Sequence, residues 1–116
     1  MNKFFRSFDY AFRGIIAGIA DQRNLKVLLL IAAAVIGAAL YFNIDRVEWC
    51  IILLCIGLVI GLEMLNSSVE NLVDLVTLER KPLAGKIKDI AAGAVLFMSA
   101  LSSIIGVIIF SKYLTA

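Results

Sequence analysis

Gly61-Leu62-Glu63-Met64-Leu65-Asn66-Ser67-Ser68-Val69-Glu70-Asn71-Leu72-Val73-Asp74 is the stretch around which the rest of the chain is arranged. An apolar run of membrane grade turns acidic here without any helix breaker. Glu63, Asn66, Glu70 and Asp74 follow one another at spacings of three, four and four, so on an α-helix of about 3.6 residues per turn all four project from one face. A carboxylate at membrane depth costs on the order of a few kcal/mol. Three on one stripe therefore point to chemistry rather than to packing. The plainer alternative, a helix leaving the bilayer, accounts for Glu70 and Asp74 but leaves Glu63 unexplained.

The apolar residues preceding the stripe belong to a chain that is apolar throughout. Of its 116 residues 62% are hydrophobic and the mean hydropathy is +0.99, far above the ~45–50% apolar share of soluble domains. A globule of this size leaves about a third of its unfolded surface exposed and has nowhere to hide such a composition. The fold class expected is an all-α integral membrane protein in a single domain spanning residues 1–116. Net charge is only +2, so no nucleic-acid surface is implied. With no His, and with Cys50 and Cys55 five apart on different helix faces, the cysteines read as apolar packing residues and a zinc site is excluded.

Upstream, residues 2 to about 23 set Phe4, Phe5, Phe8, Phe12, Ile15, Ile16 and Ile19 at helical spacing, with Lys3, Arg6, Asp9, Tyr10 and Arg13 on or beside the opposite face. This is too charged to span. It reads as an N-terminal amphipathic surface helix over 1–24, lying in the headgroup plane, rather than a helix docked on a soluble partner. The recurring charges also rule against a secretory signal, so no cleaved leader is expected. Leu25 to Phe42 is a run of about 18 residues, ~27 Å long as a helix, apolar apart from Lys26 near its start, which can snorkel. It is the first expected span, and its Ala32-Ala33-Ala34 and Gly37-Ala38-Ala39 runs allow close helix contact.

Asn43 to Arg46 is a tight turn, after which a second helix is expected over 47–78, with Trp49 at the interface and its last two turns protruding on the far side. The only Pro, in Glu79-Arg80-Lys81-Pro82-Leu83-Ala84-Gly85-Lys86, marks a second connection. A third span is expected over 88–112, opened by Lys88 and Asp89. Lys and Arg concentrate in the N-terminal region and in the 79–89 connection, against Arg46 alone in the 43–46 turn, so the former two are expected in the cytoplasm, with the stripe beside them.

Glu63 and Glu70 lie two turns, about 10 Å, apart, which permits divided roles. The deeper one can take a proton from a lipid hydroxyl and the shallower one can hold Mg²⁺ on a polyphosphate. Asn66 between them offers a donor and an acceptor to orient a substrate. Asn66-Ser67-Ser68 also matches a glycosylation acceptor, which its depth and side of the membrane argue against. Lys88 and Asp89 can add a phosphate-binding ammonium and a further carboxylate, although a Lys at a helix end is ordinary anchoring. Ala84-Gly85-Lys86-Ile87 lacks the features of a Walker A loop, so any nucleotide site is of another design.

Glu-Met-Leu-Asn-Ser-Ser-Val-Glu-Asn-Leu-Val-Asp at 63–74, followed by Lys-Ile-Lys-Asp-Ile-Ala-Ala-Gly-Ala-Val-Leu at 86–96, resembles the small membrane lipid kinases of bacteria, the diacylglycerol kinase and undecaprenol kinase family. Tyr10-Ala11-Phe12-Arg13-Gly14 and the number of spans extend the resemblance over nearly the whole chain. It implies a homotrimer of three-span protomers with active sites shared between subunits, ATP as co-substrate and Mg²⁺ as cofactor. It implies Glu63 as general base, Glu70 as ligand of Mg²⁺ with ATP, roles in activity for Asn66, Asp74, Lys88 and Asp89, and Lys3, Tyr10, Glu79 and Lys81 around the nucleotide. One departure stands out. Where the family carries a metal-site Glu before the first span, this chain reads Ala20-Asp21-Gln22-Arg23-Asn24, with Gln22 in its place. Asp21 reaching in its stead, weaker metal binding, or lost activity are the alternatives.

The expected activity is transfer of the γ-phosphate of ATP to a lipid hydroxyl at the inner face of the bacterial cytoplasmic membrane. Diacylglycerol is the expected acceptor by family name, and undecaprenol the alternative. A small proton-coupled exporter would need four spans and a carboxylate in the first, and a silent family member remains a further alternative through Gln22.

Overall fold

The computed structural model describes residues 2–115; Met1 and Ala116, the two ends of the expected domain, lie outside the described residues. Four helices follow in order: α1 Asn2–Asp21, α2 Arg23–Phe42, α3 Arg46–Val76 and α4 Pro82–Leu114. The last three, of 20, 31 and 33 residues, are each long and apolar enough to cross a membrane. At ~1.5 Å per residue α2 matches a hydrocarbon core of ~30 Å, whereas α3 and α4 exceed it and extend past one boundary. Leu30, Leu54, Leu96, Phe97 and Val107 stand exposed along these helices. An apolar exterior over helices of this length belongs in lipid, and the chain is an integral membrane protein.

Local chemistry sets the helix ends. Gln22, the single residue between α1 and α2, is extended at φ −112°, ψ 113°, and the two helices meet closely: a Cβ on Gly18 would come within 3.2 Å of Leu25 Cδ2. Asn43 closes α2 in the left-handed region at φ 57°, its N–H donating to the Ala39 carbonyl, a conformation Asn tolerates better than most residues. Asp45 then caps α3. Its carboxylate accepts from the Glu48 N–H at 2.9 Å while the Glu48 carboxylate accepts from the Asp45 N–H at 3.1 Å, a reciprocal capping box.

The third apolar helix begins earlier than its composition suggests. Expected from Lys88, it starts at Pro82, because Pro at the first helical position loses no intrahelical bond and already has the required φ. Pro82 to Lys86 thus form the opening turns of α4 rather than a connection, and the real loop is confined to the residues between Val76 and Pro82. The second span likewise ends at Val76, with Thr77 extended and its hydroxyl accepting from the Glu79 N–H.

The chain places α2's start, α3's end and α4's start together at one end, the near end. The far end carries the 43–45 turn and the C-terminus of α4. Packing is concentrated at the far end. Ala39, Ile44, Ile52 and Ile109 form the buried core there, flanked by Phe42, Trp49 and Phe110. Above it Lys112 Nζ lies 3.0 Å from Glu48 Oε2 and 4.0 Å from Asp45 Oδ2, and the Tyr113 hydroxyl donates to Glu48. This clasp ties the caps of α3 to the last turn of α4. Cys50 is exposed and Cys55 buried, both as free thiols.

Candidate active site

At the near end the polarity reverses. Within little more than one turn α3 buries three polar side chains: Glu63 is 5% exposed, Asn66 7% and Ser67 8%. Glu70, one turn on, is half-buried and accepts from Asn66 Nδ2 at 3.4 Å. Asp74 reaches the surface, where its Oδ1 is 2.7 Å from Lys88 Nζ on α4. The stripe therefore runs from burial to exposure in the order Glu63, Asn66, Glu70, Asp74, and the next apolar helix contributes the cation that closes it. Asn24 in the first turn of α2 approaches the Glu63 carboxylate together with Asn66. Asn66 Oδ1 is buried without a hydrogen-bond partner. Native proteins rarely leave such an acceptor empty, so it marks a place where another group belongs.

A second polar surface lies on the neighbouring side of α3. Ser67, Ser68 and Asn71 face Asp21 and Gln22 across a crevice of about 250 Å³, walled by Gly14, Ala17 and Gly18 of α1 and by Leu25 and Met64. Asp21 and Gln22 thus stand opposite α3, as the reading of the pre-span string requires if either is to act there. Lys3 and Tyr10 stand exposed on α1, and Asp89, Glu79 and Lys81 are exposed on or beside the start of α4. Glu79 and Lys81 form a loose surface pair at 3.9 Å. Among the described residues no hydrogen bond or ion pair joins Lys3, Tyr10, Glu79, Lys81 or Asp89 to the stripe.

Ser67, Asn71 and Asn24 are the polar residues at this site that the single stripe did not reveal. Their signal was present: Glu63, Ser67 and Asn71 recur at spacings of four, a second polar line beside the first.

The donor set suits a hard divalent cation. Carboxylates at Asp21 and Glu70, amides at Gln22 and Asn71 and hydroxyls at Ser67 and Ser68 are all oxygen ligands. Among the described residues no three acidic or metal-binding side chains converge. Mg²⁺ bound through one or two carboxylates and the phosphates of a nucleotide needs no such cluster, so the residues fit the group.

The profile of the prokaryotic diacylglycerol kinases matches residues 9–110, which include every turn of the stripe, the crevice and Lys88. The chain belongs to this family. Its relatives include the undecaprenol kinase of Bacillus subtilis, 42% identical over 110 residues, covering 95% of this chain and 89% of the relative. The diacylglycerol kinase of Synechocystis is 37% identical over 86% of this chain and 58% of the relative. That of Escherichia coli K12 is 28% identical over 78% of this chain and 75% of the relative. The family is one of lipid kinases, and its members named here differ in their lipid.

Proposed function

We propose that this protein is an ATP- and Mg²⁺-dependent kinase of a membrane alcohol, with undecaprenol as the acceptor and undecaprenyl phosphate as the product. The observation that carries the reading is the buried pair Glu63 and Asn66, the latter with an empty acceptor, at the deep end of a stripe whose shallow end holds a cation. Glu63 takes the proton of the lipid hydroxyl as its oxygen bonds to the γ-phosphorus. The bond to the bridging oxygen breaks, and ADP leaves with the electron pair. Asn66 holds Glu70 in place through its Nδ2, and its Oδ1 stays open to a further donor at the site. Lys88, aimed by Asp74, offsets charge on the phosphoryl group in transfer.

Glu70 is the proposed metal ligand, with Asp21 in place of the carboxylate that Gln22 lacks. Bound there with ATP, Mg²⁺ supplies neutralisation of the polyphosphate charge. Lys3, Tyr10, Glu79, Lys81 and Asp89 are assigned to the nucleotide. Their exposure and their separation from the stripe suit a homotrimer in which a neighbouring subunit completes each site, and α1 is assigned to the headgroup plane. The excess of Lys and Arg at the near end supports a cytoplasmic site in the inner membrane of a bacterium.

Identity of 42% over 95% of the chain to an undecaprenol kinase favours that acceptor. Diacylglycerol giving phosphatidic acid is the second reading, favoured by the names of the family and of its other relatives. Incubation of the purified protein with labelled ATP, Mg²⁺ and a panel of lipid alcohols separates the two, and absence of any labelled lipid would overturn both. Glu63→Gln is expected to abolish turnover while nucleotide binding stays within about twofold of the parent, measured by titration with a non-hydrolysable ATP analogue.

A further inference from the structure

The corner where α3 passes into α4 carries an apolar surface that no other element of the protomer covers. Leu75, Val76 and Leu78 are 82%, 78% and 86% exposed, and Leu72 and Leu83 beside them are exposed as well. α1 lies on another flank: it meets α2 through Gly18 and Leu25 and faces α3 across the crevice at Ser67, Ser68 and Asn71.

Helix length places this corner outside the hydrocarbon. α3 has 31 residues and α4 33, roughly 46 and 50 Å at ~1.5 Å per residue, against a core of ~30 Å. Counted from Trp49 at the far interface, about 20 residues complete the crossing, so Leu72 and everything after it stand beyond the near boundary. Leucines in that position meet water unless something apolar reaches them.

Two observations identify what does. Leu54, Leu58, Leu65, Leu72 and Val76 recur at spacings of four, seven, seven and four, all exposed and all on the side of α3 turned away from the acidic stripe. The corner therefore continues, without a break in direction, the face that meets lipid deeper down. Its rim is cationic. Arg80 and Lys86 are exposed, and among the described residues neither enters an ion pair, whereas Lys81 is held loosely by Glu79 at 3.9 Å. Unpaired cations at headgroup level attract anionic lipid.

We infer that the α3–α4 corner is a docking surface for anionic phospholipid: Leu72, Leu75, Val76 and Leu78 take the upper acyl chains, and Arg80 and Lys86 take the phosphate of the headgroup. The membrane is drawn up around this corner, which relieves the excess length of both helices. Asp74 and Lys88, which belong to the same corner, then sit at headgroup depth rather than in open water. Under the kinase reading this sets the level at which the phosphoryl group meets a lipid hydroxyl, while the lipid contact itself does not depend on that reading.

The test places a fluorescent reporter on the surface, Leu78→Trp in a Trp49→Phe background, with Leu75→Trp as a second, independent position. The full-length protein is put into vesicles of equal parts phosphatidylcholine and phosphatidylglycerol, with one or the other brominated in the upper acyl chain. Quenching by both lipids is expected, with phosphatidylglycerol preferred by roughly fivefold for each cation that contacts it. Arg80→Gln with Lys86→Gln should bring that preference close to one while quenching by phosphatidylcholine persists. Full access of acrylamide to the indole with no quenching by either lipid would place the corner in water and overturn the inference. Shielding from acrylamide and lipid alike would also overturn it, since a second copy of the chain would then be the cover. Lipid quenching in a protein that phosphorylates no lipid would leave this surface standing and sink the kinase reading alone.

Discussion

Replacing Lys88 with Met separates an anchoring role from a catalytic one, because the two predict effects of different size. Lys88 Nζ is 2.7 Å from Asp74 Oδ1, and the two side chains are 38% and 49% exposed. An ion pair this open to solvent contributes about 0.2–1 kcal/mol, so Lys88→Met should lower the stability of the protein by no more than about 1 kcal/mol. A cation aimed at the phosphoryl group in transfer is worth far more: removal of one such electrostatic group typically costs ~10²–10³ in turnover, about 2.7–4 kcal/mol. The gap between the two scales, some 2 kcal/mol or roughly thirtyfold in rate, lies outside experimental error. Turnover and thermal unfolding are measured on the same preparation in detergent. Exchanging the charges, Asp74→Lys with Lys88→Asp, keeps the ion pair and moves the cation to α3, so stability should recover while turnover does not. Parental turnover in the exchange variant, or a loss below about fivefold in Lys88→Met, would refute the assignment of Lys88 to the phosphoryl group.

Other perturbations probe the two ends of the molecule separately. Tyr113→Phe removes a donor to Glu48, whose side chain is only 12% exposed against 59% for Lys112. Loss of a hydrogen bond to a charged group should lower the midpoint of thermal unfolding, with turnover at low temperature unchanged. Gln22→Glu returns a second carboxylate to the crevice beside Asp21 and should lower the Mg²⁺ concentration for half-maximal turnover several-fold. Binding of Mn²⁺ followed by electron paramagnetic resonance gives the same quantity independently of turnover, and an unchanged affinity would remove position 22 from the metal site.

The spans were legible because hydropathy over about 20 residues is a signal that tertiary context rarely overrides. The start of α4 was not. Pro82 and Gly85 are punctuation in most sequences, yet Pro at the first turn favours a helix, and only the backbone shows which role it takes. The stripe from Glu63 to Asp74 was readable from spacing, whereas Lys88 by itself reads as ordinary anchoring at a helix end and only its contact with Asp74 shows its approach. The crevice was not, because its walls come from three separate segments. Ser67 and Asn71 repeat at helical spacing, but their importance depends on the gap left by Gly14 and Gly18 of α1. The far-end clasp also escaped notice, since Glu48 and Lys112 lie 64 positions apart and each alone looks like an ordinary charge at a helix end.

The separation of these two ends has an energetic logic. A buried polar group without a partner, such as Asn66 Oδ1, costs about 1–3 kcal/mol, and a deep carboxylate at Glu63 costs more. The near end is therefore a source of instability that its function requires. The far end gathers what offsets it: the Asp45 capping box, the Glu48–Lys112 and Glu48–Tyr113 contacts, and the buried apolar cluster around Ile52 and Ile109. Along α3 the same helix is thus held at one terminus and left open at the other. A substitution that stabilises the near end by pairing Asn66 should then remove the vacancy that the proposed reaction uses, whereas one at the far end should add stability at no cost in turnover.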